Sequence, residues 1–256
     1  MPQNELMLYH AWASSASRKV RLCLAEKGLS YQERSLTLSR FEHHEDWYKA
    51  LNPSGIVPAL VVNGQPLVES NFINEWLDET YPAPVLRPSD PFERHDMRLW
   101  AKFIDDHCLL AIQKHNWMAR FHPMARAWSD EELERRLAAI PTEERRKTWR
   151  RMARDPFTAE ELEAALNVLR DMADRIEARL SKTPYIVGEA YSLADIAAAP
   201  YVVRLQELHP DELSPAKRPN AAKWWQELQA RPAYAAARLA PYSDHIQDDW
   251  QPPASD

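Results

Sequence analysis

Glycine is scarce in this chain, with four residues in 256. Each sits in a turn context: Gly28 after "AEK" as a helix C-cap, Gly55 in "NPSG", Gly64 in "NG" and Gly188 in "IVGE". None is left to build a glycine-rich phosphate loop. That excludes Walker and Rossmann fingerprints, and with them the ATPase, kinase and common dehydrogenase classes. Cysteine is scarcer still. Cys23 and Cys108 both fall inside helical patterns, which favours buried, reduced thiols in a cytoplasmic setting over a disulfide. No stretch approaches the roughly 18 apolar residues of a membrane span. The start, "MPQNELMLYH", lacks the basic, apolar and small-residue regions of a signal peptide. A net charge of -6 gives no general attraction for nucleic acid or an anionic membrane. Metal ligation is not expected: HExxH is missing, His107 and His115 are eight residues apart, and adjacent His43 and His44 should point apart on a helix. Without GxSxG there is no nucleophile elbow for a serine hydrolase.

What remains is an ordinary soluble composition, 45% hydrophobic and 27% charged. Residues 6–9 read as a buried strand, 17–27 as a helix, 31–36 as a second strand and 44–51 as a short helix. Residues 58–62 and 66–69 flank Asn63-Gly64 as a hairpin, followed by a helix over 71–80. The order βαβαββα predicts a mixed sheet with helices on its faces. "YPAPVLRPSDP" (81–91), with four prolines, is a stiff linker and a domain boundary. Beyond it the pattern is helical over 92–118, 130–139, 143–153, 158–181, 192–208 and 219–230. Ser192 and Asp195 take capping-box spacing at the start of the fifth of these. The acids and bases of 130–170 interleave at helical spacing, as on a solvated helix face. The tail "DDWQPPASD" reads as frayed or extended.

The chemistry concentrates at "SSAS", residues 14–17. One hydroxyl, on Ser14 or Ser15, is accounted for by capping the following helix, which is worth about 1 kcal/mol. The others are surplus. A strand–loop–helix junction aims unpaired N–H groups and a positive dipole end at whatever lies before it. Thioredoxin-type folds hold a reactive thiolate there, but this stretch offers hydroxyls and no thiol. A hydroxyl can stabilise a thiolate that arrives on a substrate: lowering a thiol from about 8.5 to ~6.5 needs ~2.7 kcal/mol. Tyr9 is a rival hydroxyl, though its place inside the first strand suits packing. Pro58 in "IVPAL" suits an edge or a cis turn that exposes the preceding backbone to another chain. Glu69 and Ser70 precede a helix, where a carboxylate, a hydroxyl and free amides make a pocket for a zwitterionic amino-acid group. Singly each feature is more often structural; together they describe a peptide-thiol site.

These residues resemble the cytosolic glutathione transferase family over essentially the whole chain. The resemblance implies a thioredoxin-like domain over 1–82, a linker over 83–91 and an all-helical domain over 92–256. It also implies glutathione as cosubstrate and a homodimer. "SSASRKVRLCLAEKG" is similar to the zeta-class serine motif, which assigns thiol activation to Ser14, with Ser15 and Ser17 nearby. "NPSGIVPAL" resembles the cis-proline loop, so Val57, before Pro58, should pair its backbone with the cysteinyl unit. "ES" resembles the γ-glutamyl-binding pair, giving Glu69 and Ser70, while His43 lies where members bind the glycyl end. "SLADI" is similar to the family's capping box, a structural role. "FEHHEDWYKALNPSGIVPAL", "LRPSDPFERHDMRLWAKFID" and "TWRRMARD" resemble bacterial β-aryl etherases, which implies attack on a hydrophobic aromatic electrophile. The alternatives are a maleylacetoacetate-type isomerase and a catalytically silent binding protein. Ala16 stands where the zeta motif has cysteine, against thiol-dependent isomerisation. Arg18 could meet an isomerase's need for a cation, but a helical arginine after a cap is expected at the surface. Trp12, His107, His115 and Trp117 are candidates for the apolar half of the site, against the plainer expectation that helical aromatics are core.

Overall fold

Strand β1 (Leu6–His10) buries alternate residues, Leu6, Leu8 and His10, as a period of two requires. The computed structural model to which it belongs describes residues 4–239, so the tail 248–256 lies outside the described residues. The sheet order is β2-β1-β3-β4. β2 (Gln32–Ser35) runs parallel to β1, while β3 (Ala59–Val62) and β4 (Gln65–Val68) form an antiparallel hairpin on the other side. Asn63 and Gly64 both take positive φ, 49° and 84°, the conformation a two-residue hairpin turn demands. With α1 (Ser15–Glu26), the short α2 (Asp46–Lys49) and α3 (Ser70–Thr80), the order is the expected βαβαββα. Among the described residues, those from 92 to 239 are mainly helical, as read.

Three local expectations are corrected. Helix α1 begins at Ser15 rather than residue 17, with Ser14 as its N-cap. Arg18 is fully buried rather than at the surface, as are Lys19 and Arg21. The cause is tertiary: α1 packs against α3, α10 (Leu193–Leu208) and α12 (Pro232–Ala236) as well as the sheet, so no face is left to solvent. Finally, His43 and His44 do not point apart, because they lie in a 3-10 turn with their rings 3.9 Å from centroid to centroid.

The long helix read over 92–118 is α4 (Pro91–Phe103), α5 (Leu109–Asn116) and α6 (His122–Ala125), interrupted by π-helical turns at Ile104–Cys108 and Trp117–Phe121. α7 (Asp130–Leu137) and α8 (Glu143–Arg154) follow, then α9 (Ala159–Leu180), α10, α11 (Pro219–Gln229) and α12, the last not read from the sequence. The main core joins Leu8 and Leu60 of the sheet to Leu169, Ile196 and Trp224 of the helices. Phe41, which follows β2, joins Leu133, Leu137 and Trp149 in a second cluster. The proline-rich stretch is tethered at one end: buried Lys27 bonds Asp78, the Tyr81 carbonyl (2.7 Å) and the Pro84 carbonyl. Cys23 and Cys108 are free and buried. Burial pushes the thiol of Cys108 up to about 12 and that of Cys23 higher, so neither is a nucleophile.

Candidate active site

β1 ends at His10 and the chain turns into α1, bringing the serines to the end of the strand. Ser14 Oγ accepts from the Ser17 N–H at 3.2 Å, satisfying one of the helix's first-turn amides. A hydroxyl has one donor and two acceptor sites, so this cap leaves the Ser14 proton free to be given to an anion. Ser14 is half-buried and Ser15 is 8% exposed. Ser17 is different: it has no exposed surface, and its Oγ accepts from the Ala11 N–H at 3.3 Å. It braces the turn and cannot reach a substrate from there. Tyr9 packs against Trp47 and Tyr48, ring centroids 5.7 and 6.4 Å away.

The Val57–Pro58 bond is cis, as the sequence suggested. Val57 is buried to 5% exposure, yet among the described residues neither its N–H nor its C=O has a hydrogen-bond partner. Buried backbone groups are almost always paired, so this residue presents one donor and one acceptor to something that is not protein. The register of the hairpin pairs Ala59 with Val68, which sets Glu69 and Ser70 close beside the cis-proline loop. Glu69 holds φ 66° and ψ 105°, a strained conformation for a non-glycine residue. No side chain caps α3, so its first-turn amides are open to a carboxylate.

His43 is buried at 5% exposure, and its Nδ1 lacks a partner. Burial, His44 and Arg145 hold its pKa well below the ordinary value, so it is neutral at pH 7. His44 is depressed to about 3 by burial and by Arg145 and Lys49. Gly55 (φ +58) abuts this pair: a Cβ there would sit 2.7 Å from His44 Nδ1 and 3.0 Å from the His43 carbonyl oxygen. Arg145, on α8, donates from Nη1 to the carbonyls of Ser54 and Gly55, both at 3.1 Å. It was not anticipated, and no sequence signal separates it from the other arginines of its helix. A cleft of about 640 Å³ opens beside His44, bordered by Arg40, Lys49, Arg135 and Arg136. None of Ser14, Val57, Glu69 or Ser70 lines it, so it is separate from the thiol site.

The four candidates for the apolar half do not converge. Trp12 lies between the guanidinium groups of Arg21 and Arg238, 4.7 and 4.6 Å from its ring, edge-on to His10. His107 is exposed beside Phe103. His115 has its pKa lowered by burial and by His209, with Leu162 of α9 as a backbone partner. Trp117 stands in the aromatic cluster, 5.7 Å from Trp149, which lies 4.9 Å from Phe41. The cations after the serines are also committed. Arg18 bonds the Trp12 carbonyl at 3.3 Å, Lys19 pairs with Asp105 at 2.7 Å, and Arg21 bonds the carbonyls of Trp12 and Ala237.

Two family models match the chain: the glutathione S-transferase N-terminal domain over residues 13–80 and the C-terminal domain over 137–232. Protein LigF of Sphingobium sp. is 36% identical over 234 residues, which is 89% of this chain and 91% of the relative. A probable maleylacetoacetate isomerase of Vibrio cholerae is 31% identical, covering 91% and 94% of the two chains. The crystal structure of beta-etherase LigF superposes with a TM-score of 0.81 at 33% identity, over 91% of this chain and 98% of that one. A serine-capped helix facing a cis-proline loop with unpaired backbone is thus found in a chain matched at both ends by the same family. The protein belongs to the glutathione S-transferase family and is a glutathione-using transferase.

Proposed function

We propose that this transferase cleaves aromatic β-aryl ethers. The observation that carries glutathione docking is the buried, unpartnered N–H and C=O of Val57, which suit the cysteinyl unit of a peptide lying antiparallel to the loop. Glu69, Ser70 and the open amides of α3 suit the γ-glutamyl end. The thiol releases its proton to water, the Ser14 hydroxyl donates a hydrogen bond to the resulting thiolate, and the dipole of α1 adds to the stabilisation. The thiolate attacks the carbon that carries an aryloxide: the C–S bond forms as the C–O bond breaks, and the phenolate leaves to take a proton from water.

Two observations favour this over isomerisation of a maleyl dicarboxylate. The solved structure of LigF, which superposes over 91% of this chain, is that of a beta-etherase. A dicarboxylate needs cations near the acceptor, and those on α1 are already engaged with carbonyls and Asp105. The same reading takes residues 1–82 and 92–256 as two domains joined at 83–91. It also takes the protein as a cytoplasmic homodimer that meets through the exposed Phe72 of α3 and Leu99 of α4. No described helix is long and apolar enough to cross a membrane. The test incubates enzyme and glutathione with a β-aryl ether ketone and, separately, with a maleyl dicarboxylate. Stoichiometric phenol release with a glutathione thioether is the expected result. Isomerisation of the dicarboxylate without thiol loss, and no phenol, would overturn the ether reading.

A further inference from the structure

The charged faces of α7 and α8 are mostly satisfied among themselves: Glu132 pairs with Arg135 and Arg136, Glu134 with Arg150, and Asp130 with Arg154. Arg145 departs from this. Among the described residues no carboxylate pairs with it, and its two protein partners, the Ser54 and Gly55 carbonyls, engage only Nη1. A guanidinium carries five N–H donors, so most of its donor capacity is unspent. Burial lowers its pKa. Beside it stand two buried imidazoles with unpartnered nitrogens: His43 Nδ1, His44 Nδ1 and His44 Nε2. A half-buried cation flanked by neutral polar rings, with donors to spare and no carboxylate partner, is an arrangement suited to receiving an anion.

Geometry gives the direction from which the anion comes. The Ala59–Val68 pairing sets Glu69 and Ser70 on one side of Val57. Running the other way from Val57, the chain passes Ile56 to Gly55, whose carbonyl Arg145 holds. A tripeptide that pairs with Val57 and rests one end on Glu69–Ser70 therefore carries its other end toward Arg145. At about 3.5 Å per extended residue, the glycyl unit spans one of those two residues, and its carboxylate is directed on toward Gly55 and the Arg145 guanidinium. We infer that Arg145, contributed by the helical part of the chain, is the counter-ion for the glycyl carboxylate of bound glutathione and braces the cis-proline loop while doing so. His43 can give that carboxylate a hydrogen bond but no charge, so the charge comes from α8. The inference rests on the glutathione reading above.

The experiment measures binding of glutathione and of its glycyl monoethyl ester, which lacks that charge, to the wild-type protein and to Arg145→Gln and Arg145→Lys, by calorimetry. For wild type, the ester should bind about tenfold more weakly than the acid, the scale of one charge-assisted hydrogen bond. Arg145→Gln should lose a similar factor for the acid and discriminate little between acid and ester, while Arg145→Lys recovers part of the difference. A purely structural role predicts equal losses for both ligands. Equal losses in Arg145→Gln, or no preference for the acid in wild type, would overturn the inference while leaving glutathione binding intact. Failure of wild type to bind either ligand would overturn the glutathione reading along with it.

Discussion

Ser14 carries two duties at once, and they separate by measurement. Removing its hydroxyl deletes the bond from the Ser17 amide, which should cost about 1 kcal/mol of stability. Under the proposed role it also removes the donor to the sulfur. Ser14→Ala should therefore return the pKa of bound glutathione toward the free thiol value of about 8.5, shifting the pH–rate profile alkaline and lowering kcat at pH 7 by at least about tenfold. Ser17→Ala tests the contrast: it should lower stability through the lost Ala11 bond and leave the thiol pKa of the bound peptide unchanged. Thiolate absorbance titrated in each variant distinguishes the two serines. Histidines act on stability in a different way. His10 and His44 fall from 6.5 to about 3 on folding, through burial, and His43 is depressed as well. A lowered folded pKa contributes stability that is complete above about 6.5 and is lost as pH drops toward about 3. Urea midpoints should fall steadily between pH 6.5 and 4, and His44→Asn should flatten that slope; an unchanged slope in the variant would show that His44 does not titrate this way.

At the scale of one element, α10 shows how a cap becomes a core feature. Asp195 closes the capping box with Ser192 and also accepts from the Ile186 N–H (3.2 Å) and Trp224 Nε1 (2.9 Å). Burial raises its pKa to about 6 despite these donors. That shift has the opposite sign to the histidines, adding stability that is full below about 3.8 and lost as pH rises to about 6. One raised carboxyl against four lowered histidines, His10, His43, His44 and His115, leaves the acid side net destabilised. Asp195→Ala orphans the Ile186, Ser192 and Trp224 donors together, so it should cost at least about 3 kcal/mol and lower the urea midpoint accordingly. Helix α8 shows the reverse case. Its periodicity is that of a solvated surface helix with Trp149, Met152 and Ala153 turned inward, and the sequence was read that way. Nothing in that spacing distinguishes Arg145, which reaches Gly55 ninety positions away in sequence.

At the scale of the molecule, buried ions join parts that are far apart in sequence. Lys19 of α1 bonds Asn71 at 3.0 Å and Asp105 at 2.7 Å, and Asn71 reaches Asp105 in turn at 2.6 Å, tying α1, α3 and the first π-turn together. Breaking one partner strands the other charge. Asp105 is 34% exposed and keeps Asn71, so Lys19→Met should destabilise by about 1–3 kcal/mol, and adding Asp105→Leu should recover part of the loss, a coupling that a double-mutant cycle measures. Phe72, 70% exposed, and Leu99, 50% exposed, stand as the apolar residues proposed to meet a second copy. Phe72→Glu with Leu99→Glu should shift sedimentation toward monomer while leaving the fold intact by circular dichroism. A wild-type protein that sediments as a monomer would remove the dimer from the reading.

The order of elements, the cap at the serines, the hairpin turn and the split between a mixed sheet and helices are all written in short-range signals. Periodicity, turn residues and caps act within a few positions, so the sequence alone determined them. The proposed peptide-thiol site rests on the resemblance in "SSAS", "NPSGIVPAL" and "ES", each a short stretch legible in the sequence. What only tertiary structure decided depends on which faces meet. Arg18 was expected at the surface and is buried because four elements surround α1. His43 and His44 lie with their rings 3.9 Å apart and tilted because their turn is 3-10 rather than α-helical. Trp12, His107 and His115 fall in separate surroundings, and Arg145 reaches the Ser54 and Gly55 carbonyls, because helix packing sets which face turns inward and a helical pattern leaves the partner of that face open.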